Sequence, residues 1–172
     1  CESIEEKLKS EGIIDKKNSD LFENFDMQKN KQVHYATDLE VNQFIKESFN
    51  QIIKILYELC QQYEQEVQEV QIQSEKIDAR NVFFRFYKKG QLVREVRIFL
   101  SNVLGKQDSI GVSDNSSLYW NNGNCLNEMY IAKYENQELK LSTTISLTNK
   151  VSSMDVITVV VNIWEKNIQP YI

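Results

Sequence analysis

The period of the hydrophobic pattern changes once, near residue 67, and that change restricts the folds open to the chain. Val41, Ile45, Phe49, Ile52, Leu56, Leu59 and Tyr63 recur at spacings of three and four, the mark of a helix with one apolar stripe. From Val67 the period is two, with Val70 and Ile72 alternating with glutamines up to Ile77, as in a half-buried strand. Thr37-Asp-Leu-Glu40 is a capping box and sets the helix start; the stripe carries it to about Glu66. Phe44, Ile53 and Ile55 make the stripe broader than a coiled-coil seam, so the helix should lie on a sheet.

The hairpin from Asn81 to Ser101 is the clearest strand signal, turning at Lys88-Lys89-Gly90. A two-residue loop would set Phe84 opposite Glu95 and Val82 opposite Arg97, mixing charge into the apolar face. A three-residue loop with Gly90 left-handed pairs Phe86 with Leu92, Phe84 with Arg94 and Val82 with Val96, and is the expected register. It gathers Phe83, Arg85, Tyr87, Val93, Glu95 and Arg97 on the other face. A short strand at Ile110 to Ser113 follows, then an Asn- and Ser-rich loop from Asp114 to Asn124. A second hairpin, Glu128–Tyr134 with Glu138–Ser146, turns at Glu135-Asn136-Gln137. Ser152 is the expected N-cap of a last helix, with Asp155 three positions on. Ile157, Val160, Val161, Trp164 and Ile168 form its expected apolar face, and Pro170 prevents further continuation.

The predicted fold class is therefore α+β: an antiparallel meander sheet of five to six strands, with the long helix and the C-terminal helix packed on one face. The 172 residues suit one domain over 37–172 behind a polar lead-in over 1–36. Ser3 with Glu6 and then Gly12 predict a short helix at about 4–11 in that lead-in. Leu21, Phe22, Phe25 and Met27 follow as side chains able to dock on the body. No apolar run approaches the roughly 20 residues that span a bilayer.

Charge is unevenly distributed. Net charge is −5 overall, −6 over residues 37–78 and +5 over 79–100, and all four arginines (Arg80, Arg85, Arg94, Arg97) fall within 18 residues. In the expected register Arg85 and Arg97 share a face with Tyr87, Phe83 and Phe99. Guanidinium groups beside aromatic rings can fork onto a carboxylate or phosphate while a ring stacks on a flat group. Arg94, Trp120, Asn127 and Glu128 complete the candidate ligand-binding set. The same arginines can also pair with the acidic helix and with Glu95, each exposed pair stabilising by about 0–1 kcal/mol. Duplex nucleic acid is excluded as a partner by the net acidic field. Trp120, in Leu118-Tyr119-Trp120-Asn121-Asn122-Gly123, is either a plug over the core edge or a binding lip.

Catalytic signatures are sparse. His34 is the single histidine, in the lead-in, and reads as a surface or loop residue. There is no phosphate-cradling glycine loop, and Cys1, Cys60 and Cys125 have no zinc spacing; Cys60 reads as a buried free thiol. Glu138-Leu-Lys140 matches the minimal Glu-x-Lys half of a metal-dependent nuclease site, which needs a neighbouring Asp such as Asp108 or Asp114. The chain starts on Cys1, which fits either a cut from a longer protein or a lipid-anchored mature terminus. The first implies a cytoplasmic protein, the second a surface lipoprotein.

The succession Phe83-Phe-Arg-Phe-Tyr-Lys-Lys-Gly90, Val96-Arg-Ile-Phe99, Ser109-Ile-Gly-Val-Ser113, Asn127-Glu128, Leu139-Lys-Leu141 and Trp164-Glu-Lys-Asn-Ile-Gln-Pro170 resembles a small α+β accessory domain carried by bacterial effector proteins of the TIR type. The resemblance covers about residues 80–170 and implies a sensing, regulatory or oligomerising role within a larger, defence-type protein. The sequence has no TIR domain of its own, so no NAD-cleaving activity is implied. The expected function is non-catalytic recognition of a small anionic ligand or an acidic partner surface, without a cofactor.

Overall fold

The computed structural model describes residues 36–172 apart from 103, 104, 106, 115–125 and 145–152. Cys1, His34, Trp120, Cys125, Ser152 and the short helix at 4–11 lie outside the described residues. Helix α1 (Asp38–Glu66) opens on the predicted capping box: Thr37 Oγ1 accepts the Glu40 N–H at 3.3 Å and Glu40 Oε2 accepts the Thr37 N–H at 2.7 Å. Its buried stripe is Val41, Ile45, Phe49, Ile52, Leu56 and Cys60, flanked by half-buried Phe44, Ile53, Ile55 and Leu59. Cys60 is a free buried thiol, pushed up to about 12 by burial and then by the charge of Glu64.

Among the described residues seven strands follow: β1 (Val70–Asp78), β2 (Asn81–Lys88), β3 (Gln91–Ser101), β4 (Ser109–Asp114), β5 (Leu126–Glu135), β6 (Glu138–Thr143) and β7 (Ser153–Met154). They form one antiparallel sheet in the order β1-β2-β3-β4-β5-β6-β7, each strand beside its sequence neighbour. The count exceeds the expected five to six, because Ser153 and Met154, read as helix lead-in, pair with Ser142 and Leu141. Val82, Phe84, Phe86, Val96, Ile98, Ile110, Val112, Tyr130 and Leu141 are buried in one core with the α1 stripe. Helix α2 (Val156–Ile163) adds Val159, Val160 and Ile163 to the same core, so both helices cover one face of the sheet.

The β2–β3 register differs from the expectation in an instructive way. The loop has two residues, Lys89 and Gly90, both with positive φ (51° and 79°), the conformation that matches strand twist in a tight hairpin. Such a loop alone would turn Glu95 and Arg97 into the core and Arg94 outward. A bulge corrects it: Tyr87 faces Leu92, Phe86 faces Arg94, and Val93 is the extra residue. Beyond the bulge Phe84 pairs with Val96 and Val82 with Ile98, a two-residue shift from the expected pairs that leaves the division between faces unchanged. The β5–β6 loop is also two residues, Asn136 and Gln137, at φ 51° and 66°, and Glu135 pairs with Glu138.

Asp155, rather than Ser152, caps α2, accepting the Thr158 N–H at 2.7 Å. The buried face is Val159, Val160 and Ile163, then Asn167 and Ile168, while Ile157 and Val161 are exposed. The expected face was displaced because residues 156–161 are apolar at all positions but one, so periodicity could not select a side. The helix widens into a π turn at Trp164–Ile168, where the Gln169 N–H bonds Trp164 O, and Pro170 lies in a closing 3₁₀ turn, Gln169–Tyr171. No helix among the described residues is long and apolar enough to cross a membrane.

Candidate functional site

Alternation along β2 and β3 turns Phe83, Arg85, Tyr87, Glu95, Arg97 and Phe99 away from the helices. All six are half-buried, so this outer face is less open than the sequence suggested. Gln71, Gln73 and Glu75 of β1 continue it, whereas on β4–β6 the same side is closed by buried Ser109, Ser113, Met129 and Ser142. Gly111 lies beneath the Phe99 ring, so close that a Cβ there would stand 2.5 Å from Phe99 Cζ. Glycine at that position lets Phe99 lie flat on β4.

Each arginine finds a different environment. Arg85 bridges two carboxylates, Nη1 to Glu75 Oε2 and Nε to Glu95 Oε2, both at 2.5 Å. Hydrogen bonds to Glu75 and then Glu95 raise its pKa above the ordinary arginine value. Arg80 pairs with Asp108 at 2.8 Å. Arg97 is held by a neutral group: Asn81 Oδ1 accepts from its Nη2 at 2.5 Å and its Nε at 3.1 Å. Its guanidinium stacks 4.5 Å from the Phe99 ring centroid and 5.8 Å from Phe83, a cation–π geometry. Asn81 in turn donates to Asp78, which that bond and the Arg80 N–H hold below the usual carboxylate range; the Arg97 charge contributes least. Tyr87 donates to Gln73 Oε1 at 3.3 Å.

Arg94 departs from the candidate set. It lies on the helix side of β3 with its side chain 4% exposed, bonding Asn167 O through Nε at 2.7 Å and pairing with Asp114 through Nη1. The Tyr171 ring centroid is 3.7 Å from its guanidinium carbon. The placement follows from the bulge at Val93, which turns Arg94, Val96 and Ile98 toward the face of Phe84 and Phe86. Asn127 and Glu128 join this second cluster: Asn127 donates to Asn167 Oδ1 at 3.4 Å, and Glu128 meets Lys166 Nζ at 3.6 Å and accepts from the Tyr130 hydroxyl. Burial, then that bond, raises the Tyr130 pKa. The predicted set thus divides between two faces, with Arg85, Tyr87 and Arg97 outside and Arg94, Asn127 and Glu128 beneath the C-terminal turn.

Glu138 and Lys140 form a loose ion pair at 4.0 Å, Asp108 and Asp114 are engaged by Arg80 and Arg94, and no group of three His, Cys, Asp or Glu among the described residues could hold a metal ion. Sequence reading overlooked Asn81, Asn167 and Tyr171. Only Asn167 had a local signal, as a polar residue four positions after Ile163. No protein-family model matches the chain, and no curated protein or solved structure matches it.

Proposed function

We propose that the chain is a non-catalytic recognition module of a larger, defence-type bacterial protein, reading an anionic group through Arg97. One contrast carries the reading. Arg80, Arg85 and Arg94 each meet a carboxylate, whereas Arg97 has none within 4.0 Å among the described residues and is oriented by an uncharged amide. A guanidinium fixed between Phe83 and Phe99 has little rotamer freedom left to lose, so a carboxylate or phosphate meets a preorganised fork. Aromatic and arginine side chains together are also the composition of energetic centres in protein interfaces.

The surrounding charge selects the size of the target. Glu75 and Glu95 balance Arg85 and Arg97 on this face, so it carries no broad positive field. The fit is to one anionic group with an apolar or planar neighbour, on a partner surface or as a small ligand. Sensing or regulation within the larger protein is the role implied by the likeness to modules of TIR-type effectors. The test uses two probes, a hexaglutamate peptide and pyrophosphate, titrated against the whole chain by calorimetry. Binding that weakens about tenfold or more in Arg97→Ala and stays unchanged in Arg80→Ala supports the reading, at the usual strength of a charge-assisted bond. Absence of binding by both probes, or equal binding by Arg97→Ala, refutes it.

A further inference from the structure

We propose that a groove between α1, the outer edge of β6 and the first turn of α2 binds an extended peptide of alternating apolar residues with a basic flank. It is separate from the Arg97 face. The backbone argument comes first. β7 pairs with β6 only at Leu141 and Ser142, because Asp155 then caps α2 and turns the chain away. Among the described residues no strand lies against Glu138–Lys140 on that side. An unpaired edge presents N–H and C=O groups that an added strand satisfies.

The sheet's other edge is guarded, and the contrast marks β6. On β1 the Ile72 N–H is taken by Glu64 Oε1 at 3.1 Å, and a bulge lies between Lys76 and Asp78. Beside β6 the groove encloses about 650 Å³. Phe44 and Ile55 of α1, Leu139 of β6 and Val156 and Ile157 of α2 line it. Ile157 is 57% exposed despite its position on the helix. Three paired residues span roughly 10 Å of strand, and alternate side chains of such a strand enter the apolar floor.

Rim charge selects the occupant. Glu138 and Asp155 line the groove against the single ammonium of Lys140, so a flanking Lys or Arg is favoured. A second copy of this chain is a poor occupant, since the chain carries −5 and its β1 edge is acidic at Glu75 and Asp78.

The experiment is a selection of random heptapeptides on the whole chain, with Ile157→Asp and Glu138→Lys as comparators. Both sites are exposed, and an Asp in the first turn suits the helix dipole, so folding is retained and is checked by melting. The expected result is enrichment of alternating apolar peptides with a basic end, together with slowed amide exchange within 138–140. Ile157→Asp should weaken binding about tenfold, and Glu138→Lys should remove the basic preference. Four outcomes overturn the proposal: no enrichment over Ile157→Asp, enriched peptides with helical spacing, binding without protection at 138–140, or an Ile157-dependent dimer in sedimentation.

Discussion

Arg94 gives the sharpest stability test, because the sequence offered it as a ligand-binding residue although the expected register set it opposite Phe84, and the structure buries it on that helix side. Its guanidinium engages a main-chain carbonyl, a carboxylate and a ring, drawn from the C-terminal turn and from the end of β4. Arg94→Met keeps the stem and removes the charge. Asp114, with a side chain 15% exposed, is then a nearly buried carboxylate without its cation, and Asn167 O loses its donor. Breaking a buried pair from one side costs about 3–5 kcal/mol, and the orphaned carbonyl is part of that loss, so about 4 kcal/mol is expected. Arg94→Met with Asp114→Asn removes both charges and should recover about half. The coupling, the double-variant loss minus the two single losses, is then about 2 kcal/mol in magnitude plus whatever Asp114→Asn costs alone, measured by urea unfolding of both single variants and the double variant. A loss below about 1 kcal/mol for Arg94→Met, or strict additivity, would refute the buried-pair account.

Four further outcomes are expected. Gly111→Ala places a Cβ 2.5 Å from Phe99 Cζ and should cost about 1–3 kcal/mol by overpacking; in a Phe99→Ala background chemical denaturation should show that cost nearly abolished. Gln137→Gly relieves a left-handed non-glycine residue at φ 66° and should raise stability by about 0.5–1 kcal/mol in thermal unfolding. Asp155 is held below its usual 3.8 by the Thr158 bonds, so its contribution is complete above that value and fades as pH falls through the lower folded pKa. Asp155→Asn keeps the cap and should flatten that acid limb in melts between pH 2 and 5. Cys60, pushed up to about 12, should resist iodoacetamide at neutral pH until the domain unfolds, which mass spectrometry reads directly.

The elements most visible in the sequence are those whose hydrophobic period admits one phase. Helix α1 is such a case, since its stripe, its capping box and its end at Glu66 all follow from spacing. Helix α2 is the opposite case. With Val156, Ile157, Val159, Val160 and Val161 nearly contiguous, every face is apolar, and the sheet decides which one is buried. The β2–β3 hairpin lies between these extremes. Its faces were legible because alternation is robust to a shift of two, while the pairing was not, because a bulge leaves little trace in the pattern. Val93 gives no local sign that it is the extra residue.

The candidate site divides for the same physical reason. Four arginines within 18 residues form one positive segment in sequence, yet a strand sends neighbours to opposite sides, and one bulge decides which of them go inward. Carboxylates distant in sequence then separate the remaining three. Asp108 reaches Arg80 from the start of β4, and Glu75 reaches Arg85 from β1. Asn81, by contrast, meets Arg97 with an uncharged amide. Local charge density therefore overstated the outer field, and the useful property is the one guanidinium whose direct partner is a neutral amide. Replacing that partner tests the distinction within the protein's own framework. Asn81→Asp would supply the missing carboxylate; made together with Asp78→Asn, which removes the like charge that Asn81 Nδ2 now contacts at 2.9 Å, it should suppress anion binding at Arg97 while leaving the fold intact. Undiminished binding in that variant would move recognition away from this face.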